Sequence, residues 1–247
     1  MKEREHWLSF IDVKRRQNLL LILEELSSLL DKKNPNFIII GAMSILIQGF
    51  IGGYKVLWDV DLLFRNSDGI MDFRKKEKSK NLRIVELDDG IVQNKNIGSL
   101  HTVWSFSTTW FNVDYIIKSN LFDFYNPLKR RKEPHNETVR FQNRDYHIIL
   151  FLADPLDVFV EKIVSPRMEK ELNLRDDFGV DIRHCLHMLK RFGEEEWFWR
   201  SIKMSAIEIN RKVRLKKHLV QLIEIKDELG YADTKLPDSI QERINQL

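Results

Sequence analysis

Cysteine is almost absent from this chain: Cys185 stands alone among 247 residues. A single thiol excludes a disulfide framework and a cysteine-rich zinc site, and it points to a reducing compartment. Long apolar runs are missing too, and none approaches the length that spans a bilayer. The opening MKEREHWLSF carries too many charges for a secretory leader, so the expectation is a soluble, cytoplasmic protein with no membrane partner. Charge of one sign is not in excess. The net charge of +3 permits a polyanionic partner without demanding one. No internal repeat or low-complexity tract is visible. What remains is an ordinary globular composition, long enough for one large domain or two modest ones.

The most informative stretch is Phe37–Phe64. It opens with Phe37-Ile38-Ile39-Ile40, a wholly apolar run with the length and β-branching of a buried strand. Gly41 and Ala42 follow, then a helix-like segment from Met43 to about Phe50. Past Ile51-Gly52-Gly53 the chain enters a second apolar run that holds two acids, Trp58-Asp59-Val60-Asp61-Leu62-Leu63-Phe64. Residues two apart on a strand share a face, so Asp59 and Asp61 project side by side while Val60, Leu62 and Phe64 turn to the core. Two neighbouring anions repel and are costly to desolvate, and a divalent cation removes that cost.

Around this stretch, Ile11–Leu30 reads as an amphipathic helix ended by Asn34-Pro35. Arg65–Lys80 reads as a loop or short helix, and Leu82–Glu86 and Ile91–Gln93 as extended pieces. His101–Ser107 and Trp110–Ile117 read as two strands with Ser107-Thr108-Thr109 near their turn. The second carries Asp114, a residue type depleted in strands. Thr138–Phe141 and Tyr146–Leu150 read as a hairpin closing the sheet. From Pro155 onward the pattern is helical: one helix broken at Pro166, then Asp176–Arg191, Glu194–Arg211 and Val213–Leu229. The expected organisation is therefore an α/β domain over 1–150, a mixed sheet flanked by helices, followed by a helical domain over 151–247. A ligand cleft is expected between them.

If the acid-bearing strands are neighbours, Asp59, Asp61 and Asp114 converge on one spot. Hard oxygen donors of this kind suit magnesium, which keeps waters and bridges protein carboxylates to substrate phosphates. Two such ions can activate a hydroxyl and stabilise leaving pyrophosphate, and Asp114 is a candidate base for that hydroxyl. Gly41-Ala42 running into a helix offers bare backbone N–H groups to phosphates.

A glycine turn, a helix, Asp-x-Asp on a strand and a later lone Asp on another strand together resemble the nucleotidyltransferase superfamily of the polymerase-β type. Lys162-Ile163-Val164-Ser165-Pro166-Arg167, then Arg175-Asp176-Asp177-Phe178-Gly179-Val180-Asp181, is similar to the Lys-x-x-x-x-Arg and Asp-rich helix of its abortive-infection type IV toxin branch. The resemblance spans about Phe37 to Leu189. It implies a nucleotidyltransferase-type sheet and the transfer of a nucleoside monophosphate from a nucleoside triphosphate, with two Mg2+ ions. Asp59, Asp61 and Asp114 match its metal ligands, and Gly41 and Ala42 its phosphate turn. Lys162 and Arg167 match its triphosphate-facing cations, and Asp177 or Asp181 its later acid. The chain departs from the usual pattern at Ala42, where Gly or Ser stands, and at Lys55 and Leu57, where Arg and Thr or Ser often stand; Lys55 keeps a cation there for the nucleotide.

The acceptor implied is a protein, an RNA end or a small molecule, in a toxin–antitoxin or phage-defence setting with an antitoxin partner. Two other readings stand beside it: a non-catalytic nucleotide- or partner-binding module that keeps the fold, and a small-molecule, antibiotic-type adenylyltransferase. His184 and His187 around Cys185 read as structural, Trp197-Phe198-Trp199 as core or interface, and the basic Arg211–His218 as a solvated helix face.

Overall fold

Alternating burial along the strand that carries Asp114 shows which side of the sheet holds the core. The computed structural model describes residues 6–52, 59–77, 83–87, 96–106, 108–130, 132–175 and 179–247. Strands β1 (Ile38–Ile40), β2 (Val60–Phe64), β3 (Arg83–Leu87), β4 (Ile97–Trp104) and β5 (Phe111–Lys118) lie in the order β1-β2-β5-β4-β3. The β2–β5 pair is parallel; β1–β2, β4–β5 and β3–β4 are antiparallel. Val60, Leu62 and Phe64 are buried as their spacing predicts, and so are Phe111, Val113, Tyr115 and Ile117, while Asn112, Asp114 and Ile116 are only half-buried. On the core side Phe37, Phe64, Phe73 and Tyr115 form a cluster with ring centroids 5.3 to 6.1 Å apart. Such pairs contribute about 0.5–1.5 kcal/mol each beyond area burial.

Phe73 belongs to α3 (Ser67–Lys76), which occupies the stretch expected as loop or short helix. Asn66 starts it by accepting from the Gly69 N–H at 3.0 Å, and Arg74, Lys75 and Lys76 sit in its last turn, where cations suit the dipole. Helix α1 (Val13–Leu29) is capped by Asp12 and buries Leu19, Leu20, Ile22, Leu23 and Leu26 completely. A further short helix, α4 (Ser119–Tyr125), follows β5 directly.

The hairpin β6 (His135–Phe141) and β7 (Arg144–Leu150) corrects the expectation that it closes the sheet: it is a separate two-stranded sheet lying on α1. The reason lies in where the β7 amides go. Ile149 N–H donates to Ser27 Oγ at 2.9 Å and His147 N–H to Glu24 Oε1 at 3.4 Å, both on α1. Gln142 and Asn143 both take positive φ (48° and 62°), the left-handed pair that matches strand twist in a two-residue hairpin turn. The free edge of β1 is covered by the next segment instead, since Ile39 N–H donates to Phe151 O and Ala153 N–H to Ile39 O.

The chain divides into two units, Met1–Asp154 and Pro155–Leu247. The second is helical: α5 (Pro155–Val164), α6 (Pro166–Leu174), α7 (Val180–Phe192), α8 (Glu196–Glu208), α9 (Lys212–Ile225) and α10 (Ile240–Asn245). α5 is buried almost all round, the mark of a central helix, and α6, α7, α8 and α9 pack against it. Pro166 both ends α5 and opens α6, where Ser165 Oγ accepts from Met168 N–H at 2.9 Å. Among the described residues no helix is long and apolar enough to cross a membrane. Ile91–Gln93, expected to be extended, lies outside the described residues.

Candidate functional site

The sheet register builds the site. Asp59 stands just before β2 and Asp61 inside it. Parallel pairing sets Asp61 opposite Asp114, and antiparallel pairing sets Asp114 opposite His101. Residues opposite one another on neighbouring strands share a face. Asp61, Asp114 and His101 therefore form one row, on the side away from buried Val113 and Tyr115.

Each end of the row is braced. The partner of Asp61 on β1 is Ile40, after which Gly41 turns the chain into the short α2 (Gly41–Ile47). Gly41 has a φ of 66°, and a Cβ there would overlap Asp61 Oδ2, so glycine is required by both backbone and contact. Ala42, next in line, is half-exposed. At the other end His101 Nδ1 lies 3.2 Å from Asp114 Oδ1, with side chains 42% and 19% exposed. Asp59 is exposed, and its electrostatic neighbour is Arg15 of α1. The Arg15 guanidinium lies 4.0 Å from the Phe111 ring centroid and donates to Trp110 O. Burial lowers its pKa, and Asp59 and Asp12 pull it back up.

Two hard carboxylates in one row, beside a turn without a side chain, match the donor set of magnesium, which takes one or two carboxylates and completes its shell with water and phosphate. Among the described residues, no three His, Cys, Asp or Glu side chains group closely enough to hold a metal ion. Asp61 Oδ2 lies against Gly41, Asp114 Oδ1 lies near His101, and Asp59 sits beyond the strand in the field of Arg15.

The helical unit gathers Lys162, Arg167 and Asp181. Lys162 on α5 forms a buried ion pair with Asp181 in the first turn of α7, side chains 11% and 6% exposed. Burial alone would lower the Lys162 pKa, but Asp181 more than offsets it and the net direction is upward. Arg167 donates to Glu171 at 2.9 Å and lies 3.9 Å from Asp181, with most of its side chain exposed. The second oxygen of Glu171 accepts from Ile182 N–H at 3.2 Å, which ties α6 to the start of α7. Burial, and then the charges of Lys162 and Arg167, drive the His184 pKa down to about 2, so this imidazole is neutral. Burial raises the Cys185 thiol. Within the basic run of α9, His218 is buried with Nδ1 2.6 Å from Ile163 O. Lys55, Leu57 and Asp177 lie outside the described residues.

No family model matches the chain, and no curated protein matches it. Two solved structures align with most of its length. One is an antigenic nucleotidyltransferase-like protein from Paracoccidioides brasiliensis, 15% identical, TM-score 0.45, with 90% of this chain and 95% of that one covered. The other is an inferred nucleotidyltransferase from H. pylori, 9% identical, TM-score 0.38, with coverages of 92% and 100%.

Sequence reasoning missed His101 and Arg15. The sequence offered a partial signal for His101, since a turn near Ser107-Thr108-Thr109 makes its strand the neighbour of the one carrying Asp114, but the register that sets the two opposite comes from the observed pairing. Arg15 left no such trace, because its approach to Asp59 depends on how α1 lies on the start of β5.

Proposed function

We propose that this chain is a magnesium-dependent nucleotidyltransferase that moves a nucleoside monophosphate from a nucleoside triphosphate to an acceptor hydroxyl. The observation that carries this reading is the parallel register of Asp61 with Asp114 next to the Gly41 turn. Asp61 and Asp114 would hold the metal, with Asp59 one pleat away for a second ion. Bound there, magnesium supplies charge neutralisation for the triphosphate and the leaving pyrophosphate. Asp114 would take the proton as the acceptor oxygen bonds to the α-phosphorus and the bond to pyrophosphate breaks. The Gly41-Ala42 backbone lies beside Asp61, where it can face phosphate oxygens. Arg167, the exposed cation of its cluster, keeps its assignment to phosphate under this reading, and Lys162 and Asp181, whose ion pair links α5 to α7, keep theirs to the nucleotide. Lys55 and Asp177 keep their nucleotide-contact assignments under this reading. The acceptor is a protein, an RNA end or a small molecule, and a toxin role with an antitoxin partner is its finer form.

One observation favours a second reading. A row of two carboxylates, Asp61 opposite Asp114, also fits a module that binds a nucleotide and does not turn it over. Transfer of label from each of the four α-labelled triphosphates, with Mg2+ and a cell extract as acceptor source, separates the two. Label transfer that disappears in Asp61→Ala supports the enzyme. Equal signal from wild type and Asp61→Ala removes it, and triphosphate binding without transfer selects the module.

A further inference from the structure

Resting on the metal-site reading, we propose that His101 is a positioning residue that holds Asp114 in the orientation needed to bind the cation. His101 sits directly opposite Asp114 in the β4–β5 register, and its Nδ1 approaches Asp114 Oδ1 at 3.2 Å. A carboxylate only accepts, so the proposed hydrogen bond requires the tautomer with hydrogen on Nδ1 and the imidazole as donor. In that arrangement Oδ1 is engaged and Oδ2 is the oxygen left to coordinate. The bond also fixes the plane of a carboxylate that would otherwise turn freely beside a second acid.

The row has a matching restraint at its other end, where the backbone of Gly41 lies against Asp61 Oδ2. Each member of the acid pair is thus held from its outer side, one by main chain and one by imidazole. A cross-strand polar pair at this exposure contributes only about 0.2–1 kcal/mol to stability. The contribution of His101 is to ligand geometry, and hydrogen-bonded partners of metal ligands commonly change affinity by about 10–100-fold when removed.

The test is Mn2+ binding, followed by the loss of the free-ion EPR signal at one fixed pH, for wild type, His101→Leu and His101→Asn. Leucine keeps bulk without a donor, whereas the asparagine amide places an N–H near the Nδ1 position. The expected result is weakening by about 10–100-fold in His101→Leu and recovery of most of that loss in His101→Asn. Thermal unfolding of each variant checks the fold, and His101→Ala replaces the leucine variant should that one not unfold cooperatively. Wild-type binding that is indifferent to loss of the donor overturns this inference alone, as does a loss that asparagine leaves uncorrected. Absence of saturable Mn2+ binding by the wild-type chain overturns the metal-site reading, and this inference with it.

Discussion

Asp181 and Asp114 are both aspartates on largely apolar elements, yet their surroundings answer their charge differently. Asp181 is 6% exposed and meets the ammonium of Lys162, with Arg167 behind it and Glu171 pinned to the same helix start. Asp114 is 19% exposed and lies between a second acid and an imidazole that is 42% exposed. A buried acid paired with a permanent protein cation is a closed unit, and its removal is felt by the fold. Acids lined up at half exposure leave coordinating oxygens within reach of solvent, and their removal is felt by a ligand. Under the proposed function, that contrast puts structure in the first region and chemistry in the second.

The contrast is broken most directly at the ion pair. Lys162→Met leaves Asp181 charged and buried, and the expected loss is about 3–5 kcal/mol in urea denaturation. Asp181→Asn strands Lys162 in the same way and should cost a similar amount. Combining Lys162→Met with Asp181→Leu should recover most of the loss, because neither charge then remains to be desolvated. Single variants within about 1 kcal/mol of wild type would mean that the pair is not closed, and Lys162 would return as a free ligand for phosphate.

Much of this was legible in the chain itself, for reasons that differ by region. The order strand, turn, helix, strand over Phe37–Phe64 follows from two short apolar runs and a glycine, and Val60, Leu62 and Phe64 point to the core because a strand alternates. The facing of Asp61 by Asp114 required a pairing of β2 with β5 across about fifty residues, which no local pattern contains. The hairpin was visible as a hairpin from its alternation, but its neighbour was not, since Ser27 and Glu24 capture β7 from a distant helix. Asp181, matched in the sequence to a later acid of the resembled family, meets the side chain of Lys162.

Beneath the acid face, the core side of the sheet offers a charge of a third kind. Glu77 carries a side chain only 3% exposed, 3.3 Å from Arg74 Nε, and it accepts from Tyr115 OH at 3.2 Å. Burial pushes its pKa up from 4.5 to about 7, against the opposing pull of Arg74 and Tyr115. The folded chain therefore retains a proton that the unfolded chain releases. The resulting stabilisation is complete below pH 4.5 and is lost as pH rises through about 7. At about 1.4 kcal/mol per unit, the whole change is of order 3 kcal/mol. Glu77→Gln should flatten the dependence of unfolding free energy on pH across that window. An unchanged slope would show that Glu77 is ionised in the fold and belongs with Asp181.

Gly41→Ala probes the point where backbone and acid meet. A left-handed φ costs an L-residue roughly 1–2 kcal/mol, and the added methyl also displaces the carboxylate of Asp61. The expected outcome is a modest fall in the urea midpoint together with weaker Mn2+ binding. Loss of stability with metal affinity intact would show that the approach of Gly41 to Asp61 is packing alone, and the acid row would lose one of its two restraints.

The sharpest form of the comparison uses one chemical change in both places. Asp114→Asn is isosteric with the change made at Asp181, and its carbonyl oxygen can still accept from His101 Nδ1. With His101 and Asp114 both partly exposed, the charge contributes little to folding, and its loss relieves repulsion with Asp61. Stability should stay within about 1 kcal/mol of wild type, in contrast to the several kcal/mol expected at Asp181. Label transfer from triphosphate should nevertheless fall by about 100-fold or more, the usual effect of losing a general base. A large loss of stability at Asp114 would place it with Asp181 as an acid the fold depends on, and the division between a structural and a chemical region would collapse at the residue it was built on.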